Sequence, residues 1–170
     1  LLIPAVHSLG CEGLLPEKFD VIGVSRSKIS DKGFRDRLFS GVQDYSRSDP
    51  KICNLWKGFE TKIEYLQGEY DQEETYSELK NRIDKLEKNE QARSNLLFYL
   101  SIPPEMHSII LRHLGKLGLS GSEGREVRVV IEKPFGRDLE SARKLNSIVH
   151  ESFREDQIFR IDHFLGKETV

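Results

Sequence analysis

The chain has 170 residues, 32% of them charged and 37% hydrophobic, with a formal net charge of −2. That length suffices for one domain with its own core, and the near-balanced charge offers no basic face for nucleic acid or an anionic membrane. No apolar run approaches the roughly 20 residues of a membrane span, and the opening LLIPAV run is too short for one and lacks the cationic flank of a secretion signal.

Along the chain, helix and strand signals alternate. Residues 1–9 read as a helix and residues 10–17, with two glycines and a proline, as a turn. A short apolar strand over 20–24 precedes a helix over 28–47, in which Phe34, Leu38 and Val42 recur at helical spacing. Residues 63–70 form a further strand region, and 75–94 a charged amphipathic helix with Tyr76, Leu79, Ile83 and Leu86 on one stripe. The continuous apolar run 96–100 suits a strand covered on both faces. Pro104 opens the next helix, where its missing N–H costs nothing; Met106, Ile109, Ile110, Leu114 and Leu117 make its inner face, and Gly118 ends it. After the polar loop 120–124 come a strand over 126–131 and a helix capped by Asp138, reaching about residue 153, with Leu139, Ala142, Leu145 and Val149 inward. The last strand is 158–161. Strands alternating with helices of this length imply parallel βαβ units and a doubly wound parallel α/β sheet.

The two cysteines, Cys11 and Cys53, fit no metal spacing and no disulfide framework. They are expected to fill space in a reduced, cytoplasmic domain. His7, His107, His113 and His150 lack partners at metal or triad spacing and read as helix-surface histidines, and Trp56 reads as packing between the second helix and the following strand.

Chemistry concentrates in four stretches. Residues 160–170, RIDHFLGKETV, follow a short apolar strand and bring His163 and Lys167 together around Gly166. Two donor or cationic side chains, beside a glycine that lets the backbone approach, suit a phosphate dianion; a polar strand-to-helix turn with solvated charges is the plain alternative. Residues 127–136 read VRVVIEKPFG, residues 21–27 VIGVSRS and residues 96–104 LLFYLSIPP.

Taken in chain order, the four stretches resemble the glucose-6-phosphate dehydrogenase family. That family carries RIDHYLGKE as its substrate signature, EKPFG after its fifth Rossmann strand and a Tyr-x-x-x-Pro-Pro exit from its fourth. Within the signature the chain departs only at Phe164, where the family has Tyr. The resemblance covers essentially the whole chain. It implies a Rossmann-like fold, truncated at the first strand, and oxidation of glucose 6-phosphate to 6-phosphogluconolactone with hydride transfer to NADP.

The same resemblance assigns the residues. Arg26, with Ser25 and Ser27 beside it, takes the place of the acid that would bind a ribose 2′-hydroxyl, and so suits the 2′-phosphate of NADP. Tyr99 touches the cofactor. Lys133, its direction restricted by Pro134, reaches both the nicotinamide side and the sugar. His163 and Lys167 grip the sugar phosphate, with the backbone of Phe164, Leu165 and Gly166 lining the pocket. Asp162, by its own chemistry rather than by the resemblance, suits orienting an imidazole or binding sugar hydroxyls. Each has its bland counterpart: a solvated arginine, a core tyrosine, a turn lysine, a strand-end cap. No metal is implied.

No G-x-G-x-x-G loop is present, and residues 1–5 (LLIPA) resemble the family's helix just after its phosphate loop. The first strand and that loop are therefore expected before residue 1, and the general base beyond residue 170. The chain reads as residues 1–170 of a partial dinucleotide-binding domain, inactive by itself, whose full-length parent is a homo-oligomer. A non-catalytic nucleotide-fold remnant and another NADP-dependent sugar-phosphate oxidoreductase remain the alternatives.

Overall fold

A computed structural model describes residues 2–46, 53, 55–91, 93–121 and 124–161. Two units divide the chain, Leu1–Glu69 and Tyr70–Val170.

In the first unit, α1 (Leu2–Cys11), β1 (Val21–Ser25), α2 (Asp31–Tyr45), a one-turn α3 (Trp56–Phe59), a 3-10 turn (Glu60–Lys62) and β2 (Ile63–Gln67) follow one another. β1 and β2 pair in parallel, Val21 opposite Ile63 and Ser25 opposite Gln67. The crossover helix is pinned at its N-terminal end. Ser30 caps α2 by accepting from Gly33 N–H at 3.1 Å. Asp31 accepts from Tyr65 N–H at 2.7 Å, and Arg35 Nε donates to Ile63 O at 2.9 Å. Val42, Phe59, Ile63 and Leu66 are buried.

α1 packs on α2, and Gly10 lets Leu55 close on its C-terminal end: a Cβ at position 10 would lie 2.5 Å from Leu55 Cδ2. The segment carrying Cys53 thus meets Cys11, and the two form a disulfide with Cα atoms 5.9 Å apart. The expectation of two space-filling thiols is corrected here. Forty-two residues separate the pair, and no local pattern carries that contact. His7, expected on a helix surface, is fully buried because α1 turns this face toward Trp56 and Phe59, whose rings lie 6.4 and 6.1 Å from the imidazole. Trp56 packs on Phe39 of α2, as expected, with centroids 5.1 Å apart.

The second unit runs α4 (Glu73–Glu90), β3 (Leu96–Leu100), α5 (Pro104–Lys116), β4 (Val127–Glu132), α6 (Leu139–His150), a 3-10 turn (Glu155–Gln157) and β5 (Ile158–Ile161). β4 lies in the middle, parallel to β3 and to β5. Its Val127, Val129, Val130 and Ile131 are buried, as a strand covered on both faces requires. Buried Gln157 sets β5 beside β4: its Nε2 donates to Ser120 O at 2.9 Å and Val127 O at 3.0 Å, and its Oε1 accepts from Arg154 N–H at 2.9 Å. The α5 stripe is rotated from the expected one. His107, Ile110, Leu111 and Leu114 are buried while Met106 and Leu117 are only half-buried, so His107 is a core rather than a surface residue. Leu139, expected inward on α6, is exposed because it opens the helix, whereas Leu145, Ile148 and Val149 face the core.

Glu87 of α4 and Arg125, just before β4, form an ion pair with little solvent access, their side chains 13% and 4% exposed. Glu87 also accepts from Ser94 N–H at 2.8 Å. Burial pushes its carboxyl upward, but the Ser94 amide and the Arg125 guanidinium pull harder, and its pKa falls below the ordinary glutamate value. Breaking a pair this dry leaves an uncompensated charge, so Arg125→Ala is expected to destabilise the fold by about 3–5 kcal/mol in urea unfolding at neutral pH. A carboxyl with a lowered folded pKa contributes stability above its unfolded pKa and loses it as pH falls through the folded one. The gap between Arg125→Ala and wild type should therefore shrink in acid; a gap constant from neutral pH to acid would remove the pair as its cause.

Candidate functional site

Parallel strands place all their C-terminal ends on one edge, where open α/β sheets bind ligands. In the second unit that edge is formed by β3, β4 and β5. Tyr99 lies one residue from the end of β3, opposite Val130, and its hydroxyl donates to Glu132 Oε1 at 2.6 Å. Burial first, then the Glu132 carboxylate as hydrogen-bond acceptor and as charge, pushes the Tyr99 phenol up to about 12. Lys133 follows β4 directly, is exposed, and its peptide bond to Pro134 is cis. The register sets Glu132 opposite Ile161, so the EKPFG motif and the RIDHFLGKE signature leave the sheet from neighbouring strands.

Beyond Pro134 the chain turns at Gly136, which has φ +100°; a Cβ there would sit 2.5 Å from Ala142 N, and only glycine meets both demands. Asp138 then caps α6 in a reciprocal box with Ser141, accepting from its N–H at 2.8 Å. Pro103 and Pro104 carry β3 into α5. Inside this edge His107 is 1% exposed, and neither ring nitrogen has a hydrogen-bond partner among the described residues. Burial lowers its pKa; Glu105 and Glu132 raise it less. The imidazole is thus neutral near pH 7.

In the first unit, Arg26 follows β1 in an exposed bend. The Tyr65 hydroxyl is shared between Ser25 O at 3.0 Å and Ser27 O at 2.6 Å, which fixes the backbone on both sides of Arg26. The geometry suits a cation presented to an anionic ligand at a strand end.

Of the residues singled out in the sequence, Tyr99 and Lys133 stand at one sheet edge, and Arg26 stands at the corresponding end of β1 in its own unit. His163, Phe164, Leu165, Gly166 and Lys167, with Asp162, lie outside the described residues. Glu132 and His107 were not singled out for this edge. Glu132 stood within EKPFG, adjacent to Lys133, and that adjacency could have flagged it; His107 gave no signal except the i, i+3, i+4 spacing to Ile110 and Leu111. Of the other histidines, His113 stacks on Tyr76 at 4.6 Å, and His150 lies between Asn146 O at 2.7 Å and Glu155 Oε2 at 2.8 Å.

Parallel βαβ units with polar side chains gathered at the strand C-termini define a dinucleotide-binding α/β domain. The family model for the NAD binding domain of glucose-6-phosphate dehydrogenase matches residues 1–170, and the chain belongs to that family. Among its relatives, glucose-6-phosphate 1-dehydrogenase 2 of Mycobacterium bovis is 39% identical over 170 residues, 99% of this chain and 33% of that protein. The Chlamydia pneumoniae glucose-6-phosphate 1-dehydrogenase is 39% identical over 173 residues, 99% of this chain and 34% of that protein. A solved glucose-6-phosphate dehydrogenase in complex with its substrate glucose-6-phosphate superposes with a TM-score of 0.87 at 34% identity, covering 98% of this chain and 34% of that one. The chain thus spans about a third of the length of the curated relatives it matches.

The Tyr99–Glu132 contact has a spectroscopic signature. Glu132→Gln removes the charge that disfavours tyrosinate, so the Tyr99 phenol should titrate at lower pH, from about 12 toward the ordinary tyrosine value of about 10. The difference in tyrosinate absorbance between the two proteins across the alkaline range measures it; superimposable titrations would mean the contact does not exist in solution.

Proposed function

We propose that residues 1–170 are part of the dinucleotide-binding domain of an NADP-dependent glucose-6-phosphate dehydrogenase, ending in its substrate-binding signature. The reaction is oxidation of the C1 hydroxyl of glucose 6-phosphate to the lactone, in a cytoplasmic homo-oligomer. The observation that carries this reading is the register of β4 on β5, with Glu132 opposite Ile161, which starts the two motif segments from the same sheet edge.

The described residues fit the cofactor. Arg26, exposed between two backbone carbonyls held by Tyr65, offers a guanidinium to the 2′-phosphate. Tyr99, Glu132 and Lys133 offer an aromatic ring, an acceptor and a cation to the nicotinamide side. Bound NADP supplies the hydride acceptor. Lys133 orients the sugar, and His163 and Lys167, with the backbone of Phe164, Leu165 and Gly166, hold its phosphate. Phe164 forgoes one hydroxyl hydrogen bond that the usual Tyr could make, worth about 0.5–1.5 kcal/mol. The base that takes the C1 proton belongs to the part of the enzyme beyond residue 170.

In the intact enzyme, Arg26→Ala is expected to weaken NADP by about 1.5–3 kcal/mol, roughly 10–150-fold, because the lost contact is charge-assisted. NAD, which lacks the 2′-phosphate, should be nearly unaffected. Steady-state kinetics with both cofactors decide it, and an equal loss for the two would make Arg26 a structural residue.

Lys167→Ala should raise the KM for glucose 6-phosphate and leave oxidation of unphosphorylated glucose nearly unchanged, because the phosphate is remote from C1 and its grip acts mainly as uniform binding. Lys133→Ala, nearer the hydride-transfer geometry, should lower kcat with either sugar. Glucose oxidation impaired as severely as that of the phosphate ester by Lys167→Ala would refute the phosphate role.

A further inference from the structure

The first unit holds a cluster that neither the cofactor nor the sugar uses. His7 and Cys11 stand one helical turn apart on α1, and Cys53 reaches them from beyond α2; one ligand atom from each of the three lies within 4.8 Å of the others. His7 is fully buried, yet its polar neighbours among the described residues are weak ones: Ser46 Oγ at 3.4 Å from Nδ1, and Cys11 Sγ at 3.7 Å from Nδ1 and 4.0 Å from Nε2. Ser46 Oγ also lies 3.1 Å from Ser8 Oγ. Around the imidazole stand Trp56 and Phe59, an apolar surround of the kind that shields a metal centre from water. Two sulfurs and one imidazole are the donor set that soft divalent cations select.

We propose that His7, Cys11 and Cys53 form a redox-gated site for one thiophilic divalent cation of the Zn²⁺ class. In the oxidised state the two sulfurs are joined and offer no thiolate. A dithiol reductant opens the bond by supplying two electrons and two protons, and leaves as its own disulfide. Each thiol then gives up its proton as the ion binds, so uptake of one ion releases two protons and leaves a bis-thiolate–imidazole complex. The required motion is confined to side chains. Tetrahedral coordination with Zn–S bonds of about 2.3 Å holds two sulfurs roughly 3.8 Å apart, which side-chain rotation provides between backbones that already lie close. The imidazole, whose two nitrogens are almost equally far from Cys11 Sγ, must turn to aim one nitrogen at the ion. The fourth position falls to Ser46 Oγ or a water.

The test uses the intact protein, oxidised and dithiol-reduced, under anaerobic conditions. Zn²⁺ affinity is measured by competition with a chromophoric chelator, and Co²⁺ serves as a spectroscopic probe of thiolate ligation. The reduced protein is expected to take up one Zn²⁺ per chain and to show a thiolate-to-cobalt charge-transfer band, and the oxidised protein to do neither. Cys53→Ser and His7→Gln should each weaken Zn²⁺ by at least about 10–100-fold, the cost of losing even an outer partner of a metal site. Circular dichroism checks that each protein is folded. Equal uptake by the oxidised and reduced proteins, no uptake by the folded reduced protein, or unchanged affinity in both variants overturns the proposal. So does a reduced protein that unfolds and is not restored by Zn²⁺.

Discussion

In the second unit the sheet edge depends on one strand. β4 is hydrogen-bonded on both sides, its interior residues are buried, and its last residue, Glu132, is the one that Tyr99 reaches from β3 and that Ile161 faces on β5. Parallel pairing makes this convergence unavoidable: strands running the same way deliver their C-terminal ends to the same place, and the segments that follow begin there. Gln157, buried and bonded to the backbone on both sides of the β4–β5 approach, holds the second of those pairings in register. A slip of one residue would turn the side chains of β5 to the opposite face.

The electrostatics of the edge follow from that placement. Glu132 is half-buried and accepts a hydrogen bond from the Tyr99 phenol instead of facing bulk water, while the next residue, Lys133, is exposed. Side chains alternate across a strand, so the end of β4 presents an acceptor and a cation in succession. Behind it, His107 is kept neutral by burial, which spares the edge a second cation that could compete with Lys133 for a carboxylate or phosphate. A neutral imidazole without hydrogen-bond partners among the described residues is a cost, since buried polar groups are normally satisfied.

The first unit meets a similar problem differently. His7 is equally buried, but it stands beside two sulfurs, and close packing at Gly10 and Leu55 brings Cys53 to it. The same helix α1 therefore supports the strand pair through α2 and assembles a donor set unrelated to nucleotide binding. Covalent linkage of Cys11 to Cys53 ties two segments whose separation in sequence would otherwise leave their contact to packing alone.

Sequence periodicity determined what is local. The limits of β3 and β5 were legible to the residue, as was Asp138 as a cap, because an apolar run and a capping side chain act over a few positions. The four motifs identified the family for the same reason: each is a contiguous string. The helix stripes were legible as stripes, but the phase of α5 was not, since Met106 and His107 are neighbours and only packing against the sheet decides which one turns inward. The one-turn helix Trp56–Phe59 is too short to carry a period. Arg26, Tyr99 and Lys133 could be named from their motifs, whereas the Tyr99–Glu132 contact required the strand register. The meeting of His7, Cys11 and Cys53 was decided entirely by tertiary structure, because residues 42 apart come together through packing energy distributed over the whole unit, and no string in the sequence records it.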